Sequence, residues 1–260
     1  MLSYYNRIEE ALAENRALWQ ATIIETTGSS PAKAGMKACI GITGEYFGNL
    51  GGGELEHGII AMVRVMKPPL PLMQSFNLSG ALADADVQTN MICGGSAKVF
   101  IEPLHLAEEL YIFGAGHCGR ALAEQAIKSG YFTHLIDNRP EQLELFPEVQ
   151  GSHKQLSNYE DIAGLIKNPQ SAWVVIMTHG HLHDKEVLEQ CLELQLKYLG
   201  MIGSSTKVAE TFKRLRDKGI EQYLLDQVHA PIGLPIGSQT PHEISISIMA
   251  ELISIRRNRI

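Results

Sequence analysis

At 260 residues, with 45% hydrophobic and 20% charged side chains, the chain has the composition of an ordinary globular protein and the length for one or two cored domains. A net charge of −7, with no basic block before the closing Arg256-Arg257-Asn258-Arg259, argues against a duplex nucleic-acid partner, and no apolar run reaches bilayer-spanning length. Four isolated cysteines (Cys39, Cys93, Cys118 and Cys191), none in a CxxC pair, argue against a zinc ribbon or disulfide framework and for a reducing cytoplasm.

The first residues, MLSYYNRIEEALAENRALW, read as a charged amphipathic helix rather than a signal peptide, spanning roughly Ser3 to Leu18 with Ile8 and Leu12 on one face. A strand from Gln20 to Thr26 runs into the turn cluster Gly28-Ser29-Ser30-Pro31. Two short strands, about Met36 to Ile42 and Tyr46 to Leu50, meet at Thr43-Gly44-Glu45 as a hairpin. Gly51-Gly52-Gly53 opens a helix from Glu54 to about Met66, ended by Pro68, Pro69 and Pro71; Glu54 and Glu56 in its first turn complement the helix dipole and oppose a phosphate there. A strand near Met73, an acidic loop with Asp84 and Asp86, Cys93-Gly94-Gly95 and a strand to Glu102 complete an α+β domain at residues 1–104. The two glycines after Cys93 open the backbone around it. Both a thiolate that ligates a soft metal or carries sulfur and a small packed residue satisfy that pattern.

Residues 105–260 have the regular β-α-β texture of a Rossmann-like parallel sheet, with strands expected at 110–113, 132–136, 172–177 and 197–202. The stretch LYIFGAGHCGRALAEQAIKSGYFTHLIDNR carries the dinucleotide-binding fingerprint in its proper setting: strand, glycine turn, helix, strand and a terminal acid. Gly114 permits the tight turn, Gly116 lets backbone approach a phosphate, and Gly119 allows helix to pack on strand, with His117 between the last two. Asp137 stands about 20 residues beyond the first glycine, the spacing of a ribose hydroxyl acceptor. Arg139 beside it is placed to meet a 2′-phosphate. Cys118, at the helix N-terminus, either has a lowered pKa or simply fits a crowded turn.

The third strand empties into Thr178-His179-Gly180-His181-Leu182-His183-Asp184. Alternate histidines project the same way from extended backbone, so His179 and His181 are candidates for a ligand or acid–base site; a polar loop with Asp184 capping the next helix accounts for the same residues. The run resembles the Thr-His-x-His-x-Asp-His signature of metallo-β-lactamase-fold hydrolases, but with its last two residues exchanged. After the fourth strand, Gly203, Ser204 and Lys207 form either an anion site or a well-capped surface helix. Thr240-Pro241-His242-Glu243 is a capping box, and the ordered Pro/Gly segment before it is expected to bring His229 to the cleft.

Taken together, these residues resemble the XdhC/CoxI family, accessory proteins for xanthine dehydrogenase and related molybdenum hydroxylases. The matching pieces run in order along nearly the whole chain: Gly28-Ser29-Ser30-Pro31 with Gly35-Met36, Gly51-Gly52-Gly53 with Glu56, Cys93-Gly94-Gly95, the GAGHCG turn, Asp137-Asn138-Arg139, Thr178 to Asp184, Gly200 to Ser204 with Lys207, and His229 to Glu243. The resemblance implies an XdhC/CoxI domain followed by a Rossmann domain. It also implies binding of molybdenum cofactor, support of its sulfuration with a cysteine desulfurase, and delivery to an apo-dehydrogenase of the xanthine dehydrogenase type; a homodimer is the base-rate expectation, with some family support. Two positions depart from the family: Glu54 stands where cysteine is common, and Gly180 where aspartate is common between the first two histidines. The implied role is that of a maturation factor, with no catalytic residue assigned and no resident metal. An NAD(P)-dependent oxidoreductase, with a histidine of 179–183 as acid–base and Asp137 selecting NAD, is the alternative. A nucleotide-sensing module would share the fold but need neither Cys93 nor the histidine run.

Overall fold

Side-chain alternation along one long strand organises the first of two units, Met1–Leu106 and Ala107–Ile260, in a computed structural model that describes residues 2–28, 31–42, 44–77, 87–88, 95–104, 107–181 and 183–258. Cys93 and the acidic loop with Asp84 and Asp86 lie outside the described residues. The first unit runs α1 (Leu2–Ala13), β1 (Leu18–Gly28), β2 (Lys37–Gly41), β3 (Tyr46–Gly48), α2 (Gly53–Met66), β4 (Leu72–Asn77), β5 (Val87–Gln88) and β6 (Gly95–Leu104). Its sheet has the order β3-β2-β1-β6-β4-β5 and is antiparallel except for the β4–β5 pair. Successive β1 residues point to opposite faces. Trp19, Ala21 and Ile23 therefore meet Leu55, Ile59 and Val63 of α2, while Leu18 meets Tyr4, Ile8 and Ala11 of α1. The first helix ends at Ala13, short of the Leu18 that its periodicity suggests. Asn15 takes a left-handed conformation (φ 52°), and Leu18 and Trp19 gain more from burial in the sheet, paired with β2 and β6, than from a further helical turn.

The second unit contains β7 (Glu108–Phe113), α3 (His117–Lys128), β8 (Tyr131–Asp137), α4 (Pro140–Glu144), β9 (Ser152–Leu156), β10 (Trp173–Ile176), α5 (Asp184–Leu192), β11 (Tyr198–Met201), α6 (Ser205–Asp217), α7 (Gln222–Leu225) and α8 (Pro241–Arg256). The five strands form the expected parallel sheet, ordered β11-β10-β7-β8-β9. Both faces are covered, which is why the central strands are nearly continuous apolar runs. Leu110, Ile112, Trp173 and Val175 pack with Leu122, Ala126, Ile248 and Leu252 of α3 and α8. Tyr111, Phe113, Val174 and Ile176 pack with Val187, Leu188, Val208 and Leu215 of α5 and α6. The outer edge of β11 is bridged by His229, whose amide donates to the Leu199 carbonyl and whose carbonyl accepts from Met201. Among the described residues no helix is long and apolar enough to cross a membrane.

Strand order places the candidate site. From β7 the chain steps to β8 and β9 on one side, then returns to β10 and β11 on the other, so the direction reverses between β7 and β10. In open α/β sheets ligands bind at that switch point, beyond the carboxyl ends of the strands. Here those ends release the glycine turn, the 137–139 corner, the histidine loop and the 203–207 segment.

The last helix begins where the capping box predicts. Thr240 Oγ1 accepts from the Glu243 amide at 3.3 Å, and Glu243 Oε2 accepts from the Thr240 amide at 2.9 Å, with Pro241 in the first turn. Thr240→Ala is expected to lower the unfolding free energy by about 1 kcal/mol, read as a shifted urea midpoint with an unchanged m-value; an unmoved midpoint would mean that packing alone sets the start of α8.

Candidate functional site

The glycine turn is built by exclusion of side chains. Gly114 has φ 123°, and a Cβ there would strike the Met177 carbonyl oxygen at the end of β10. A Cβ on Gly119 would strike the Gly114 carbonyl oxygen, so the two glycines let helix, turn and neighbouring strand close on one another. Gly116 differs: its φ is −64°, and among the described residues nothing lies within 4 Å of where its Cβ would be. It caps α3 without any side-chain hydrogen bond to the helix amides. The first turn thus keeps its partial positive charge facing open space, beside the exposed His117. Arg120 braces the turn from behind, donating to the Ala115 carbonyl at 2.6 Å and to Gln142 Oε1 at 2.8 Å.

Asp137 is fully buried at the end of β8. Its Oδ2 accepts from the Ala115 amide at 2.6 Å and Arg139 Nη2 at 2.9 Å; its Oδ1 accepts from the Arg139 amide at 3.0 Å and Nε at 2.9 Å. A carboxylate offers about four acceptor positions. All are taken within the protein, and none is open to the ribose hydroxyl that the spacing predicts. Arg139, expected beside a 2′-phosphate, instead lies flat against this carboxylate. Burial pushes the Asp137 carboxyl up, but Arg139 and the two amides outweigh it and hold the group below the ordinary carboxylate value.

The histidine loop departs from the extended geometry expected of it. Residues His179–His181 form a tight 3-10 turn with Gly180 at φ 58° and ψ 14°, so the histidines do not alternate along one face. The left-handed backbone accounts for glycine at this position. His179 is exposed, and the side chain of His181 lies outside the described residues. The loop is closed by Asp184: its Oδ1 accepts from the Thr178 amide at 2.8 Å and Thr178 Oγ1 at 2.6 Å, and the same hydroxyl accepts from the His183 amide at 3.2 Å. Asp184 is buried in the first turn of α5, so it is a loop clasp more than the helix cap expected, and His183 takes the capping position. His183 Nδ1 lies 2.8 Å from Glu186, and its Nε2 3.4 Å from Asn138, which ties this loop to the 137–139 corner. Among the described residues, no group of three His, Cys, Asp or Glu side chains is arranged to hold a metal ion.

The remaining candidates divide. Gly203, Ser204 and Lys207 follow the carboxyl end of β11, one strand beyond β10. Ser204 Oγ accepts from the Lys207 amide at 3.3 Å and caps α6, and the Lys207 side chain is exposed. His229 is not brought to the glycine turn. It flanks the outer edge of β11, its ring stacked on Tyr198 (4.7 Å, 23°) and its Nδ1 3.6 Å from buried Glu251. Glu251 also accepts from Tyr198 Oη and, at 2.8 Å, from the Gly233 amide. This Tyr198–Glu251–His229 cluster joins a strand, a loop and a helix distant in sequence, and no local spacing announces it. Burial raises the Cys118 thiol above its ordinary value, opposite to the direction a helix N-terminus would impose. Cys39 and Cys191 are buried and Glu54 is exposed on α2.

Known proteins share both units. The XdhC Rossmann domain matches residues 110–252, and the XdhC and CoxI family matches residues 11–67. YqeB of Escherichia coli (strain K12) is 30% identical over 248 residues, 94% of this chain and 44% of YqeB. A Bacillus subtilis (strain 168) protein described as a probable subunit of xanthine dehydrogenase is 28% identical over 169 residues, 62% of this chain and 47% of that protein. The molybdenum cofactor insertion chaperone PaoD of E. coli (strain K12) is 26% identical over 147 residues, 56% of this chain and 40% of PaoD. These matches span less than half the length of each relative. A crystal structure described as a xanthine dehydrogenase from Bacillus halodurans shares the fold, with TM-score 0.51 and 24% identity, covering 98% of this chain and 96% of that one.

Two expectations follow for the turn. Gly119→Ala should cost about 2–3 kcal/mol or more through overpacking against backbone, whereas Gly116→Ala should cost under about 1 kcal/mol; urea unfolding of both variants separates them, and equal losses would contradict the geometry. Because the folded-state pKa of Asp137 lies below the ordinary value of 3.8, its ionised form stabilises the fold at neutral pH, and that contribution fades as pH falls through the folded value. Asp137→Asn should lower stability by about 2–4 kcal/mol at pH 7 and by clearly less at pH 3; a loss independent of pH would show that packing, not charge, is what the substitution removes.

Proposed function

The chain belongs to the XdhC and CoxI family, and from that membership we propose that it binds molybdenum cofactor, supports its sulfuration with a cysteine desulfurase as sulfur donor, and delivers it to an apo-enzyme of the xanthine dehydrogenase type. The observation that carries the proposal is the family match over the Rossmann unit, joined to a glycine turn that is structurally complete yet open at Gly116. Relatives named for xanthine dehydrogenase and for molybdenum cofactor insertion support it.

The cargo, a pterin with a phosphate and a dithiolene, asks for a concave site with backbone donors for the anion. The uncapped first turn of α3 supplies such donors, and the absence of a side chain at Gly116 lets a phosphate approach them. His117, the first residue of α3, and His179, in the turn after β10, are both exposed beyond the carboxyl ends of adjacent strands and are assigned polar contacts with the pterin. The Gly203, Ser204 and Lys207 segment is assigned a second anion contact; Cys93 is kept, on the sequence alone, as the thiol for the sulfur chemistry. A homodimer and a cytoplasmic location complete the proposal.

Protein purified from cells that make molybdenum cofactor should release a fluorescent pterin and contain molybdenum. Absence of both, with no association with an apo-molybdenum hydroxylase, would overturn the proposal. Gly116→Ala should leave folding intact and reduce pterin retention about tenfold, the equivalent of about 1.4 kcal/mol. Cys93→Ser should also lower retention, and unchanged retention would remove the thiol from the proposal.

A further inference from the structure

We infer that Arg139 is the specificity-determining residue of the glycine-turn site: by filling the acceptor positions of Asp137 it withdraws the ribose-diol readout on which pyridine-dinucleotide binding rests, and leaves a site for a phosphate-bearing ligand that presents no ribose diol to that carboxylate. This deepens the cofactor reading of the same turn and rests on it only for the identity of the natural ligand.

The argument is one of hydrogen-bond capacity. A Rossmann acid at the end of the second strand selects NAD because it accepts from the ribose hydroxyl of a bound dinucleotide. Asp137 holds that position, but its oxygens already receive two guanidinium donors and two backbone amides at 2.6–3.0 Å. Its side chain is 1% accessible, against 24% for Arg139. The guanidinium is held in the planar two-point geometry that arginine makes with carboxylates and lysine cannot. A ribose hydroxyl would have to displace a charge-assisted donor and leave it without its partner, which costs more than the neutral bond it would form. Phosphate binding needs none of this. The amides of the first α3 turn are untouched by the Asp137–Arg139 pair, and Gly116 leaves their approach open. The same turn that in a dehydrogenase binds pyrophosphate and ribose together is here reduced to its phosphate half.

Calorimetric titration of the full chain with NADH and with its 2′-deoxyadenosine analogue tests this. Wild-type protein should bind the two equally weakly. Arg139→Ala, and Arg139→Lys, which keeps the charge while freeing an acceptor, should bind NADH at least tenfold more tightly than wild type, with no gain for the deoxy analogue; thermal melts establish that each is folded. Tenfold preference of the wild type for NADH over the analogue would overturn the inference, as would folded variants that gain nothing. The wild-type comparison decides the matter even where a variant does not fold. Pterin release is a separate measurement: its absence would defeat the cofactor reading and leave the ribose comparison standing, while a ribose preference would defeat the role of Arg139 and leave the pterin result standing.

Discussion

One buried carboxylate holds the candidate site in shape. Asp137 joins the glycine turn, through the Ala115 amide, to the corner that follows β8, through the amide and side chain of Arg139. Without those four donors an ionised group at this depth would be strongly unfavourable; with them it becomes a rivet between two loops from adjacent strands. The Gly114 and Gly119 contacts depend on it in turn. Backbone atoms packed so closely that neither glycine tolerates a methyl group need their loops held without slack.

Much of this is readable from sequence because it is local. Continuous apolar runs locate β7, β8 and β10, an amphipathic spacing of three to four residues locates α3, and the glycine spacing locates the turn to the residue. The capping box places the start of α8. What sequence does not reveal has a common physical cause. Strand β9 reads Ser-His-Lys-Gln-Leu and sits at a sheet edge with little burial, so it lacks the apolar signal on which strand recognition depends. The left-handed Gly180 and Asn15 turn the chain where periodicity alone continues it straight.

The harder losses concern partners. The spacing of Asp137 is right for a ribose acceptor, and the residue occupies that place, yet spacing cannot report that a neighbour two positions on has consumed its capacity. The order in the Pro/Gly loop points His229 toward the cleft. The loop is ordered, but for another purpose: it seats the imidazole on Tyr198 beside Glu251. Asp184 follows the same logic, its carboxylate turned back onto Thr178 rather than forward along α5. In each case residue and element are legible, whereas the direction of the side chain is decided by long-range packing.

The bridge that His229 makes along β11 bears on how this domain can associate. A parallel sheet exposes two rims of unpaired peptide groups, and either rim is an invitation to a strand from another molecule. Here one rim is taken, since Leu199 and Met201 are already bonded to the His229 segment. Strand-to-strand growth of the sheet is thereby directed away from β11 and toward β9, where the exposed side chain of His153 discourages it. Contacts with other molecules on the β11 side fall to side chains, which can be made and released as a passing partner requires, and not to shared backbone ladders that would lock two chains together.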